Sequence, residues 1–251
     1  MEDAYCFHKS FEPSGSTEFK VDRHYLLYAV HGTLRLEAQG KRWTLPPARA
    51  ALICAEHTIS ISVLSRLTSA SVLFAPTFMP APRDALSVFD MSPLARELVA
   101  ECRDWGPEDG PLTPYSSRIF RTLAEVILHL AKSPSPCVLP AAKSKQLTDA
   151  VALTEAHHAA PITFNQIARE TGQSERALAR RFSEEMGMTW SETLRRIRII
   201  QAVEALATQQ ASVTEIAMSV GYSSLSGFNA AFRDITGQTP TQYRQSFKTV
   251  G

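Results

Sequence analysis

One segment near the C-terminus occurs twice. Ile167-Ala168, Gly172, Leu178, Phe182, Gly187 and Thr189 recur as Ile216-Ala217, Gly221, Phe228, Phe232, Gly237 and Thr239. The offset is 49 residues at the Ile-Ala pair and 50 from Leu178/Phe228 onward, so the second copy has one extra residue after its first glycine. A repeat confines the region to paired copies of one supersecondary unit.

Each copy has a physical reading. Ile-Ala opens a short helix, with Ala small enough for a second helix to cross closely. Gly172 and Gly221 end it, because the residue past a helix end often needs positive φ. Ser174 and Ser224 can cap the next helix. Leu178 with Phe182, and Phe228 with Phe232, lie four apart and anchor that helix inward. The pattern is a helix-turn-helix, whose second helix is shaped for a DNA major groove.

The outward face of the first such helix carries Arg176, Ala179, Arg180 and Ser183. Arg can bond guanine O6 and N7 together, so these are the expected base-reading positions. A solvated Arg/Glu surface is the bland alternative, since Glu175, Glu184 and Glu185 share the helix; the repeat weighs against it. Arg181 is expected to reach a phosphate or to pair with a neighbouring acid. The second helix presents Leu225, Ser226, Asn229 and Ala230, with Arg233 further along. Two readings stay open for it. Asn229 can read adenine while Leu225 or Ala230 touches a thymine methyl, or the helix mainly positions the protein through a phosphate contact of Arg233. Residues 190–208 should form one helix of about 28 Å at ~1.5 Å per residue. That length suits two readers in successive major grooves, ~34 Å apart on one face of DNA. Arg195, Arg196 and Arg198 suit phosphate contacts, with at least one of them structural.

The N-terminal half reads differently. Leu34, Leu36 and Ala38 alternate with Arg35 and Glu37, and Ile59, Ile61 and Val63 alternate with Thr58, Ser60 and Ser62. Period two means strands with one face buried. His31-Gly32 marks a turn and Pro46-Pro47 a break, so residues 24–75 form a meander of short strands, a sandwich or small barrel. Helices follow at 93–105 and 115–132. The second has a stripe of Ile119, Leu123, Val126, Ile127 and Leu130 that packs on its own sheet or forms a dimer seam. Three prolines in Ser133–Lys145 mark a linker.

Charge does not announce a partner: 26 basic and 25 acidic residues give a net charge of +1. The sequence starts acidic without an apolar run, and Leu67–Pro82 is interrupted by three prolines, so neither a secretory signal nor a membrane span is expected. Cys6, Cys54, Cys102 and Cys137 are scattered, as expected of reduced thiols in a cytoplasmic protein.

Residues 146–247 resemble the AraC family of bacterial transcription regulators. The resemblance is carried by Ile167-Ala168, Gly172, Ser174, Leu178, Arg180-Arg181-Phe182, Gly187 and Arg198. In the second copy it is carried by Ile216-Ala217, Gly221-Tyr222, Ser224, Phe228, Phe232-Arg233, Gly237, Thr239-Pro240 and Tyr243. The meander, with Leu45-Pro46-Pro47-Ala48-Arg49-Ala50 and then His57, is similar to the cupin-type sensor domain of a subgroup of that family. The resemblance implies an α+β chain with no enzymatic activity. It implies a cupin-like effector-sensing domain over 1–80, a helical extension for dimerisation over 81–134, a linker over 135–145 and a DNA-binding domain over 146–251. Double-stranded DNA, RNA polymerase, a small-molecule effector and a second copy of the chain are the implied partners. His24, Arg35 and His57 are the effector-contact candidates, and no cofactor or metal is expected. Two rivals remain: a regulator whose N-terminal half only dimerises or contacts another protein, and a metal-dependent cupin enzyme fused to a DNA-binding module. The single histidine, His24, before the Leu26–Ala29 strand argues against the second rival.

Overall fold

The structure is a computed structural model that describes residues 3–47 and 49–246; Ala48, in the proline-containing motif, lies outside the described residues. The chain divides into two compact units. One comprises the chain up to Ala38 with Thr44–Ser135, and the other Gln39–Trp43 with Pro136–Gln245.

The strands up to residue 90 are β1 (Ala4–Phe11), β2 (Ser14–Phe19), β3 (His24–His31), β4 (Leu34–Ala38), β5 (Lys41–Leu45), β6 (Arg49–Ile53), β7 (Ile59–Val63), β8 (Leu67–Phe74) and β9 (Leu86–Asp90), and all of them except the start of β5 belong to the first unit. One antiparallel sheet has the order β1-β8-β3-β6-β9; the second contains β4, β7 and β2. The expected meander is therefore present. β1, β2 and β9 are additions that sequence periodicity did not give. The turn at Gly32 requires glycine: φ is +78°, and a Cβ there would sit 2.2 Å from the Arg66 carbonyl oxygen.

Strand β3 is buried on both faces over His24–Ala29. Leu26 and Tyr28 face a core shared with Val72, Phe74 and the helices α1 (Pro93–Cys102) and α2 (Pro114–Leu130). Ser92 and Thr113 cap the two helices, each followed by a proline in the first turn, where its missing N–H costs nothing. The expected stripe of α2 packs inward within its own unit. Leu123 and Ile127 are fully buried, Phe120 and Ala124 complete the face, and Phe120 meets Phe74 edge-on at 6.3 Å.

In the second unit, Gln39–Trp43 pairs with β10 (Leu139–Pro140), and Arg196 donates to the carbonyls of Pro136 and Val138. The Pro-rich segment expected to be a linker is thus partly ordered, because Cys137 and Leu139 are buried. The helices are α3 (Lys145–Ala156), α4 (Phe164–Glu170), α5 (Glu175–Arg181), α6 (Trp190–Thr208), α7 (Val213–Ser219), α8 (Leu225–Thr236) and α9 (Pro240–Gln245); a π-turn over Phe182–Met186 extends α5. Helix α6 covers the expected 190–208. Its start is a capping box of Thr189 and Glu192, and α4 and α7 carry similar boxes. Glu185 anchors the start of α3, accepting from the N–H groups of Lys143 and Ser144 and from the Ser144 hydroxyl at 2.7–2.9 Å. Trp190 Nε1 donates to Thr154 Oγ1 at 3.0 Å, tying α6 to α3.

The two copies close their turns alike. Gln173 N–H donates to the Ala168 carbonyl at 2.8 Å and Tyr222 N–H to the Ala217 carbonyl at 3.0 Å. The glycines differ, however. Gly172 has φ +66° with nothing near its absent Cβ, whereas Gly221, at φ +92°, would place a Cβ 2.7 Å from the His158 carbonyl oxygen and 2.9 Å from Arg198 Nη2. Arg198 fills that corner: its Nε donates to the His158 carbonyl at 2.8 Å and its guanidinium lies 5.8 Å from the Tyr222 ring.

Gly172→Ala should therefore cost only the left-handed backbone strain, about 1–2 kcal/mol, while Gly221→Ala should cost at least twice as much in denaturant unfolding. Arg198→Ala should cost about 2–3 kcal/mol, the loss of charge-assisted bonds to a carbonyl left without its donor. Burial alone would raise the Glu185 pKa, but the hydrogen bonds from Ser144 and Lys143 and the nearby Arg181 outweigh it and lower the value. Its contribution is present above the ordinary carboxylate range and is lost as pH falls through the lowered folded pKa. Glu185→Ala should remove about 1–2 kcal/mol at pH 7 and flatten the acid limb of a stability-versus-pH curve.

Candidate nucleic-acid interface and β-domain cavity

Capping by Ser174 and Ser224 sets the start of α5 and α8, and their buried anchors set which face is outward. On α5, Leu178 and Phe182 are fully buried, and Arg176, Ala179, Arg180 and Ser183 are exposed together on the other side. Arg180 lies 3.9 Å from Glu184, but both side chains are about two-thirds exposed, so the pair holds the guanidinium only weakly. On α8, Phe228, Ala231 and Phe232 are buried while Leu225, Ser226, Asn229, Ala230 and Arg233 are exposed. The structure thus brings together the expected base-reading residues of each helix.

The expected phosphate residues separate. Arg233 is exposed at the end of α8. Arg181 follows Arg180 by about 100° of helix rotation; it is half-buried, with Nη1 3.8 Å from Glu185. Arg195 pairs with Asp234 at 2.9 Å, between α6 and α8. Arg196 holds the carbonyls of Pro136 and Val138. Consecutive arginines on a helix point in different directions, so each finds a different neighbour. Arg181, Arg195 and Arg196 accordingly have partners within the unit: Arg181 pairs with a neighbouring acid, one of the two roles expected for it, and Arg196 takes a structural role of the kind expected for at least one of the α6 arginines. The sequence leaves open which of Arg195, Arg196 and Arg198 is structural and does not show the positioning role of Glu185; Arg198 lies one turn after Leu194 and about two after Trp190 on α6.

The first unit contains a cavity of about 400 Å³. Its walls are aromatic and aliphatic, including Phe7, Phe11, Phe19, Tyr25, Leu27 and Ile61. Five residues with hydroxyl groups, Tyr5, Ser14, Thr17, Tyr25 and Ser69, are among those that line it. None of His24, Arg35 and His57 is a lining residue, a correction to the expected effector contacts. His24 alternates with the cavity-lining Tyr25, and its Nδ1 accepts from the Ala55 N–H at 3.1 Å. Burial lowers its pKa, which favours the neutral ring that such acceptance requires. Arg35 follows the lining residue Leu34 and has the opposite parity on β4. His57 lies after β6 with a buried Nε2. The cavity walls from β1 and β2 escaped the sequence reading because those strands were not recognised.

Among the described residues no group of three or more His, Cys, Asp or Glu side chains could hold a metal ion. No helix among them is long and apolar enough to cross a membrane.

Residues 167–246 match a family described as a helix-turn-helix domain. Along its length the chain is similar to the HTH-type transcriptional regulator NimR of Escherichia coli, 24% identical, covering 98% of this chain and 89% of NimR. A solved transcriptional regulator with an AraC-type DNA-binding domain, from Chromobacterium violaceum, is 30% identical over 42% of this chain and 95% of its own, with a TM-score of 0.40. ToxT of Vibrio cholerae, solved with an unsaturated fatty acid bound, aligns over 96% of this chain and 94% of its own at 14% identity and a TM-score of 0.41. The match spans both copies of the duplicated motif, so residues 167–246 form a DNA-binding helix-turn-helix domain in a chain that is similar along its length to a transcriptional regulator.

Proposed function

We propose that this regulator reads one asymmetric DNA site through both motifs and that a small molecule in the β-domain cavity controls it. The observation that carries the first half is the matched pair of turns. Ala168 and Ala217 accept the same hydrogen bond at equivalent positions, so each motif presents its second helix in the same local manner. Arg176 and Arg180 then address guanine in one box, with Ala179 and Ser183 beside them. The α8 face is neutral apart from Arg233, so Asn229 carries base discrimination there and Leu225, Ser226 and Ala230 make shape contacts, with Arg233 on a phosphate.

The cavity supports control by an effector over a purely dimerising N-terminal half. Its volume lies within the ordinary range of small-molecule sites, ~300–1,000 Å³. Only the thickness of one sheet separates it from the core of α1 and α2, because Tyr25 and Leu27 line the cavity while Leu26 and Tyr28 pack on that core. Homodimerisation through the α1–α2 hairpin is part of the reading, supported by the exposed side chains of Leu94 and Tyr115. Contact with RNA polymerase completes it as the means of output.

Selection of bound fragments from genomic DNA, at fixed near-physiological salt and with excess competitor, tests the reading. The expected result is one asymmetric motif with two boxes about a helical turn apart; a single box, or a palindrome, would refute the double reader. Arg180→Ala should weaken specific binding by about 1–3 kcal/mol and relax preference at one position of the first box. Arg233→Ala should instead weaken all sequences alike and reduce the salt slope by ~1. The two variants are compared by fluorescence anisotropy on the selected site and on scrambled DNA.

A further inference from the structure

The composition of the cavity wall narrows what it can hold. No lining residue is charged. Arg23 lies 5.2 Å from the Tyr5 ring centroid but is not a lining residue, and Lys20 is paired with Glu56 at 2.7 Å. The Tyr25 hydroxyl is bonded to Ser71, and burial pushes its pKa up to about 12, so it brings no charge at neutral pH. An anion taken into such a wall would lose its water without gaining a partner, and a sugar would leave most of its hydroxyls unbonded.

The polar groups are few and placed unequally. Ser14 and Thr17 sit on the exposed strand β2. Ser69 is deep: it is 3% exposed, its hydroxyl lies 2.7 Å from that of Ser71, and the two serines bond the backbone of Tyr28 where the β3–β8 ladder opens. Tyr5 is half-buried and the Tyr25 hydroxyl is already bonded to Ser71, so Ser69 is the deep hydroxyl that faces a guest. Around it stand flat rings, with Phe19 and Tyr25 at 5.4 Å and tilted 46° to each other, and Phe7 and Phe11 at 6.5 Å. Tilted ring pairs of this kind favour a planar guest that meets them by face or by edge.

We infer that the cavity binds a neutral, largely apolar aromatic molecule of one or two fused rings, bearing a single hydrogen-bonding substituent directed at Ser69. This rests on the effector reading above and names its ligand class.

The test uses the full chain and three polar probes, 2-naphthol, 2-naphthoate and arabinose, with naphthalene as the apolar control, followed by thermal shift and isothermal titration. A ligand that binds the native state raises Tm with concentration. The expected result is a dose-dependent rise with 2-naphthol and at least tenfold weaker binding of the other two. Ser69→Ala should weaken 2-naphthol about fivefold while leaving naphthalene unchanged, which separates a ligand contact from general loosening of the sheet. Leu27→Trp, which fills the cavity, should abolish both. If 2-naphthoate or arabinose binds as tightly as 2-naphthol, the ligand class is overturned and the effector reading stands. If no probe binds and Leu27→Trp leaves DNA selection unchanged, both are overturned. Equal loss of naphthalene and 2-naphthol in Ser69→Ala removes Ser69 from the proposal.

Discussion

The second DNA-reading motif depends on one crowded corner. Arg198 reaches from α6 to the carbonyls that follow α3, at His158 and Ala160, and lies against the turn at Gly221. Burial lowers its pKa from the ordinary guanidinium value, yet it stays charged at any physiological pH. A half-buried cation of this kind is held in place by its carbonyl acceptors. The corner therefore fixes three elements at once: the end of α3, the middle of α6 and the turn that aims α8. The first motif has no such lock at Gly172. It is held instead from the opposite side, where Glu185 grips the start of α3 and Trp190 bonds Thr154. A long helix with a different fastening at each half can keep two readers at fixed spacing without the two turns being identical.

How much of this the sequence discloses depends on the kind of signal. The repeat, both turn glycines, the two serine caps and helix 190–208 are local features, written in spacing and in residues whose backbone preference is strong. They are legible without a partner in view. The strands are less so. β2 reads Ser-Gly-Ser-Thr-Glu-Phe and is exposed along most of its length, so it carries no alternation to find. It exists because β7 offers an edge to pair with, and that is a long-range fact.

The cavity shows a different limit. His24, Arg35 and His57 were chosen for their chemistry, but a strand assigns faces by parity. Parity alone could not have chosen the right face of β3, since residues 24–29 are buried on both sides. Only the placement of α1 and α2 against Leu26 and Tyr28 makes the other face the cavity wall. The arginines of α6 show a related limit. Their charge suits phosphate and their helix suits a structural role, and the sequence does not divide the two; in the structure Arg196 and Arg198 hold backbone carbonyls and Arg195 holds Asp234. A polypeptide's own carbonyls compete with phosphate for guanidinium groups, and nothing in local sequence says which acceptor is nearer.

The same alternation would connect the proposed effector to the helical core. Side chains on β3 project to the cavity and to the helical core in turn, and the core is close-packed around Phe74 and Phe120, whose rings meet at 6.3 Å. Close-packed interiors transmit displacement because they have no voids to absorb it. A guest that pressed Leu27 outward would carry the strand backbone with it, and Leu26 and Tyr28 with the backbone, toward α1 and α2. On the β8 side Tyr28 is bonded by the hydroxyls of Ser69 and Ser71, while on the β6 side it keeps its pairing with Ala50. A hydroxyl can turn to follow a small strand displacement, whereas a backbone carbonyl cannot turn without its peptide plane. The Ser69 and Ser71 hydroxyls stand where such a displacement would pass from the cavity wall to the helical core.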